Sequence, residues 1–244
     1  MQKKNKILLY DIETSPLITY NWALYDERPI AMEQDWQLLT FSYKFLGEKE
    51  VFGHTRLEFK DKTDKSLTKK LWRVLNSADV LVGHNSISFD SKKSNAKFAE
   101  YDLPPIKCMQ IDTKKIAKSL CNFTSNSLDA LGKLLGCGEK KKHSGFDMWK
   151  KCMRGDKKAF AEMLSYNKMD VILLEKIYMK LRRYGRALPN ASLLETGKMG
   201  CAACGNSKIV SKGVWVTEKT IQEKYSCSKK NCGYIFVGRR GLVG

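Results

Sequence analysis

The stretch KILLYDIETSPL, residues 6–17, constrains this chain more than any other. Ile7, Leu8, Leu9 and Tyr10 form an apolar run that predicts a short buried strand, and the run breaks into Asp11 and Glu13 with one residue between them. Side chains alternate across a strand, so both carboxylates leave it on the same face. Two like charges in a confined place are costly unless protons or cations neutralise them, so the stretch asks for a metal ion.

The segments that follow supply a sheet to hold that strand. WQLLTFSYKFLGEKEVFGHTRL alternates apolar and polar residues and turns at Gly47, the pattern of a β-hairpin. LTKKLWRVLNSAD carries Leu67, Leu71, Val74 and Leu75 at helical spacing, and VLVGHN reads as a short apolar strand ending in a turn. A surface helix is expected from Asp90, stopped by Pro104 and Pro105, then a strand over IKCMQID, a helix over TKKIAKSL, and another that Asn126 caps and Gly136 ends. From Asp156 to about Tyr184 Val171, Leu174, Ile177 and Leu181 form an apolar helical stripe. Three antiparallel strands, then helix, strand, helix and strand, is the order of an α/β, RNase H-like fold: a mixed five-stranded sheet flanked by helices. The boundaries read as a first domain over 1–186, a linker over 187–199 and a small β domain over 200–244, within the size range of one medium domain plus an appendage.

Two further motifs add carboxylates. GHNSISFD places Asp90 at the mouth of a helix, and YNKMD sets Tyr166 and Asp170 four residues apart on one helix face. D-x-E at Asp11 and Glu13, N-x-x-x-F-D from Asn85 to Asp90, and Y-x-x-x-D at Tyr166 and Asp170, in that order and with gaps of roughly 75–80 residues, resemble the three exonuclease motifs of the DEDD superfamily in its y-type branch. That superfamily includes the proofreading domains of DNA polymerases, and the arrangement is similar to stand-alone exonucleases of bacteriophages and bacteria. The resemblance implies a 3′–5′ exonuclease in which Asp11, Glu13, Asp90 and Asp170 hold two Mg²⁺ or Mn²⁺ ions. Asp11 would bridge them, Asp170 would hold the ion that activates water, and Tyr166 would orient that water, its phenol being a better positioner than a base. Ser91 departs from the aliphatic residue common there.

Other residues near the motifs read in two ways. Thr14 either bonds a terminal nucleotide or shapes a turn, Asn85 touches substrate or fixes its turn, and Phe89 is core or a base-stacking surface. His84 and His143 read as structural or surface groups, and Asp112 as the cap of the next helix.

Cys201, Cys204, Cys227 and Cys232 form two knuckles, each ending Cys-Gly, around a stretch of β character. Four thiolates suit one structural Zn²⁺ in a zinc ribbon, although the second spacing, C-x4-C, is longer than the usual C-x2-C; two disulfides or free thiols are the alternative. Trp215, Tyr225, Tyr234 and Phe236 among Lys212, Lys219, Lys224, Arg239 and Arg240 form either a stacking and phosphate-binding surface or the ribbon's core and solvated rim.

Lys plus Arg number 44 against 26 Asp plus Glu, a net charge of +18 spread along the chain, which points to a polyanionic partner. Nucleic acid is the partner expected, as single-stranded DNA or RNA 3′ ends, with a replication or repair protein as a further one. No apolar run reaches the roughly 20 residues that cross a bilayer, the start lacks a signal-peptide core, and the other four cysteines are scattered, so a cytoplasmic protein is expected, in the host cytoplasm if phage-encoded. An exonuclease acting on RNA ends and a catalytically silent nucleic-acid-binding module are the competing functions.

Overall fold

The computed structural model describes residues 6–238 except 24, 26, 27, 62, 186 and 187, and for 195 and 196 the backbone alone. Arg239 and Arg240 of the basic tail and both residues at the expected 186/187 boundary lie outside the described residues. The chain forms two compact units, one of Lys6–Lys115 with Phe123–Tyr178, the other containing Ile116–Asn122 and the chain from Met179.

In the first unit β1 (Ile7–Thr14) is the middle of a five-stranded sheet. It pairs antiparallel with β4 (Leu38–Phe45) and parallel with β6 (Val80–Gly83). β5 (Phe52–Thr55) adds antiparallel to β4 and β7 (Met109–Asp112) parallel to β6, giving the order β5-β4-β1-β6-β7 and so the mixed five-stranded sheet that the sequence predicts. Leu8, Tyr10 and Ile12 face one way, into a buried cluster with Leu38, Phe41, Leu81, Leu67, Leu71 and Leu75 of α1 (Lys65–Asn76) and Phe98 of α2 (Asp90–Glu100). A second cluster joins Leu39 to Met148 and Cys152 of α5 (Phe146–Met153) and to Phe160 and Met163 of α6 (Lys157–Leu181). Each fully buried Leu or Phe contributes about 1.5–3 kcal/mol, so the first cluster fixes β1 and the second fixes its neighbour β4 against α5 and α6. No described helix is long and apolar enough to cross a membrane.

Several local expectations are corrected. α2 ends before the prolines, at Tyr101, because Asp102 takes a left-handed φ of 55°. Ser127, not Asn126, caps α4 (Leu128–Leu134), its Oγ accepting from the Ala130 N–H at 3.2 Å. β2 (Ile18–Tyr20) and β3 (Ala31–Gln34) form a separate two-stranded ribbon with no counterpart in the sequence reading, their short strands being largely exposed and free of a buried stripe. α3 (Thr113–Leu120) follows β7 directly. The stretch read as a linker holds α7 (Ala191–Thr196), started by Asn190 Oδ1 accepting from Ser192 and Leu193 N–H and ended by Gly197 at φ 67°.

In the second unit β8 (Ile209–Val216), β9 (Ile221–Cys227) and β10 (Ile235–Gly238) form an antiparallel sheet in the order β10-β9-β8. Its buried cluster is Cys201, Ala203 and Cys227, with Tyr234 and Phe236 packed against it.

Candidate active site and cysteine cluster

The pairing of β1 with β6 stops at Leu9 opposite Val82, so Asp11 and Glu13 project beyond that neighbour at the carboxyl edge of the parallel strands. Asp170, 2% exposed on α6, completes a group in which one carboxyl oxygen of each residue lies within 4.8 Å of the other two. Asp90 stands one step outside that group. It is 4% exposed, and its Oδ1 accepts from the Ile12 N–H at 3.2 Å, which ties the start of α2 to the strand between the two acids.

Crowding these groups together keeps protons on them. Burial, then the nearby Asp90, Glu13 and Asp170, raises Asp11 well above the usual carboxylate range. Burial and then Asp170 push Glu13 up to about 8, and burial pushes Asp90 to about 7 although backbone N–H groups favour its charged form. Asp170 is raised by burial, and its Oδ1 is buried with no hydrogen-bond partner. An orphaned carboxylate oxygen among three other acids, in an all-oxygen donor set, fits a hard divalent cation.

Two residues that the motifs did not single out complete the site. Lys140, the first of three consecutive lysines, reaches Asp170 Oδ2 with its Nζ at 2.6 Å and lies 4.7 Å from the centre of the Tyr166 ring. Burial opposes its charge, but Asp170 and Tyr166 together outweigh burial and hold the ammonium protonated. Asn167, fully buried, donates from Nδ2 to Asp11 Oδ2 at 2.6 Å. The Tyr166 phenol is raised by burial and stays protonated. His143, exposed, sets its ring edge-on to Tyr166 at 4.8 Å and to Trp149 at 5.3 Å, so it borders the site. Sequence carries no signal for Lys140 or His143, whose loop is brought to α6 only by the fold; Asn167 lies within YNKMD but has no spacing that marks it.

The turn before Asp90 is built around backbone. Asn85 sits at φ 64°, its N–H donates to Asp112 Oδ1 at 2.9 Å, and its carbonyl accepts from Ser88 and Phe89. Asp112 also accepts from the Lys114 and Lys115 N–H groups, so it caps α3 while clamping this loop. Gly83 is required here, since a Cβ would lie 2.3 Å from that of Ser86. His84 bonds Thr113 Oγ1 and the Asn126 carbonyl, and burial lowers it to about 4, so it is neutral and structural. Ser91 bridges the buried Tyr10 hydroxyl at 3.0 Å and Gln110 Oε1 at 2.8 Å, which accounts for a hydroxyl at that position. Phe89 is 41% exposed rather than core, with Lys93 Nζ 6.0 Å from its ring. Thr14 lines a cleft of about 420 Å³ with Ser15, Pro16, Phe146 and Trp149.

In the second unit the four cysteine sulfurs all lie within 4.8 Å of one another, with Cys201 to Cys232 at 3.8 Å and Cys204 to Cys227 at 3.6 Å. Tetrahedral ligation with zinc–sulfur bonds of about 2.3 Å places sulfurs about 3.8 Å apart, so the set fits zinc. Burial raises the Cys227 thiol, but Asn206 Nδ2 and the Lys229 N–H, bonding its sulfur at 3.5 and 3.4 Å, together with Cys204 and Cys201 outweigh burial and bring it to about 7. Gly205 and Gly233 follow the second cysteine of each knuckle at φ 73° and 57°. Tyr234 and Phe236 stack at 5.9 Å against the cysteines and belong to the ribbon's core, whereas Trp215 is 52% exposed.

The family model described as RNase_H superfamily matches residues 8–182. The chain belongs to the RNase H superfamily. The matched span contains Asp11, Glu13, Asp90, Lys140, Tyr166, Asn167 and Asp170, and leaves the cysteine cluster outside. Among solved structures, the chain is similar to the family B DNA polymerase from the hyperthermophilic archaeon Pyrobaculum calidifontis, with a TM-score of 0.52 and 14% identity over 78% of this chain. It spans 28% of that polymerase's length, and at this identity the likeness is one of fold. No curated protein matches the chain. Membership of the RNase H superfamily supports a nuclease with a nucleic-acid substrate, and the acidic triad and the cysteine set can each hold a metal ion.

Proposed function

We propose that the chain is a 3′–5′ exonuclease that hydrolyses single-stranded DNA ends with two Mg²⁺ or Mn²⁺ ions, and that the cysteine set holds one structural Zn²⁺. The observation that carries the reading is the convergence of Asp11, Glu13 and Asp170 within 4.8 Å, with Asp90 tethered alongside and Tyr166 one helical turn before Asp170. Bound by these carboxylates, divalent ions supply the activated water and the charge stabilisation that phosphodiester hydrolysis needs. The protein's own groups set the geometry. Asn167 holds Asp11 by one oxygen, the Ile12 N–H holds Asp90, and Lys140 steadies Asp170. Tyr166, kept protonated, donates a hydrogen bond that orients the attacking water or the scissile phosphate and does not remove a proton. Thr14 and the cleft it lines, with Phe146 and Trp149, receive the terminal nucleotide, and Phe89 offers a stacking face to the strand.

The test is degradation of a 5′-labelled DNA strand and of its RNA counterpart in Mn²⁺, Mg²⁺ or neither, beside Asp170→Ala. Metal-dependent shortening from the 3′ end that the variant lacks is the expected result. Faster loss of the RNA strand would reassign the substrate, and intact strands throughout would remove the enzymatic reading.

A further inference from the structure

The positive charge is less even than the whole-chain total suggests. Residues 179–244 carry 13 Lys and Arg against 3 Asp and Glu, so 10 of the net +18 fall there. Four of these cations meet. A groove of about 270 Å³ in the second unit is lined by Met179, by Arg182 and Arg183 on the 3-10 turn that continues α6, and by Lys229, Lys230 and Asn231 of the second cysteine knuckle. Among the described residues none of the four makes an ion pair, whereas Lys44, Lys97 and Lys140 each have a carboxylate partner.

The knuckle explains how the lysines come to be there. Zinc needs only the cysteines, and C-x4-C is two residues longer than the common C-x2-C. The loop's backbone is spent on its own geometry: the Lys229 N–H bonds Cys227 Sγ at 3.4 Å, the Cys232 N–H bonds the Lys229 carbonyl at 3.0 Å, and Asn231 turns at φ 69°. Its lysine side chains are left to line the groove opposite two arginines. Four like charges held together repel one another and are compensated by an anion with more than one negative group.

We infer that this groove binds the phosphodiester backbone of single-stranded nucleic acid. Arginines grip phosphate through a planar fork and lysines act as point charges, and both are present. Among the described residues no aromatic side chain lines the groove, so the contact is to phosphates and carries no base preference. The choice of a nucleic acid over another polyanion rests on the nuclease reading.

The test is fluorescence anisotropy of the full-length, zinc-loaded chain with a labelled poly(dT) strand over a KCl series, without Mg²⁺ or Mn²⁺ so that the strand survives. Each phosphate contact on a single strand contributes about 0.7 to the slope of log K against log salt, so Lys229→Gln/Lys230→Gln makes the slope shallower by about 1.4. Arg182→Gln/Arg183→Gln, on a separate element, gives a comparable loss and guards against a knuckle that fails to fold. Lys69→Gln/Lys70→Gln on α1, with the same change of charge, leaves the slope in place. Unchanged slopes in both groove pairs, an equal loss from the α1 pair, or tighter binding of poly-glutamate than of the strand by the same residues each overturn the inference. A chain that degrades DNA in Mn²⁺ while its groove variants bind normally keeps the nuclease reading and loses the groove. One that binds through the groove but never hydrolyses keeps the groove and loses the nuclease reading.

Discussion

Asn167 shows how much of the site is held by groups that never face the substrate. Its amide occupies Asp11 Oδ2 from a fully buried position, fixing the rotamer of a carboxylate that would hold metal in the proposed reaction. Removing such a support costs metal affinity about 10–100-fold, so Asn167→Ala raises the Mn²⁺ concentration for half-maximal hydrolysis by that factor while the circular dichroism stays the same. A metal titration that superimposes on wild type would show the amide to be idle. The acids also set a pH dependence. Without divalent ions Glu13 near 8 and Asp90 near 7 lie above their ordinary 4.5 and 3.8, so between about pH 4 and 8 the folded chain holds protons that the unfolded chain has released. Stability of the metal-free protein therefore falls as pH rises across that window. Each kcal/mol lost lowers the melting temperature by roughly 2–4 °C at this chain length, Mn²⁺ at pH 8 restores it, and Asp90→Asn flattens the profile. Thermal melts at pH 5 and 8 check this, and a rise in melting temperature between them would contradict it. At this scale the acids and Tyr166 were legible because chemistry and spacing coincide in three short motifs. Lys140 was not, since nothing in a run of three lysines tells which one the fold turns inward.

The element that turns Lys140 inward is α4. Asp129 on its first turn accepts from the Lys140 N–H at 2.9 Å, and Gly132 on its next turn lies against the same loop. A Cβ at Gly132 would stand 2.5 Å from the Gly138 carbonyl oxygen and 3.0 Å from Leu173 Cδ1, so neither the loop nor α6 leaves room for it. Gly132→Ala is expected to cost about 1–3 kcal/mol through overpacking, despite the better helix propensity of alanine. Because the displaced segment carries Lys140, kcat falls with stability. Urea unfolding and steady-state hydrolysis of the variant measure both, and a more stable, fully active protein would refute the packing argument. The same dependence on context separates the elements that sequence reveals from those it hides. β1, β4, α1 and the long α6 bury apolar side chains at a regular period. α5 buries only Met148 and Cys152, and α7 is six residues long and starts from the Asn190 cap, so neither leaves a periodic trace.

At the scale of the molecule the two units differ in what stabilises them. Among the described residues the first has one apolar cluster packed with α1 and α2 and another with α5 and α6, enough to fold without any ion. Among the described residues the three-stranded sheet of the second packs on a cluster of three buried residues, two of them cysteines, and along β8 every residue after the half-buried Ile209 is exposed. A sheet with so little to bury depends on its metal, because zinc binding supplies folding free energy that the chain lacks. Calorimetry of the zinc-loaded protein should therefore show two transitions. A zinc chelator, or Cys227→Ser, removes the ribbon's transition and the near-ultraviolet signal of Trp215, and leaves the transition of the five-stranded unit within about 2 °C of its starting temperature. Loss of both transitions together would mean that the sheet unit draws its stability from the ribbon, against the separation of their cores. If the chelated chain retains metal-dependent hydrolysis but binds poly(dT) with a shallower salt slope, the division extends to function: carboxylates that cut on one unit, and on the other cations that are arranged only while zinc holds the knuckles.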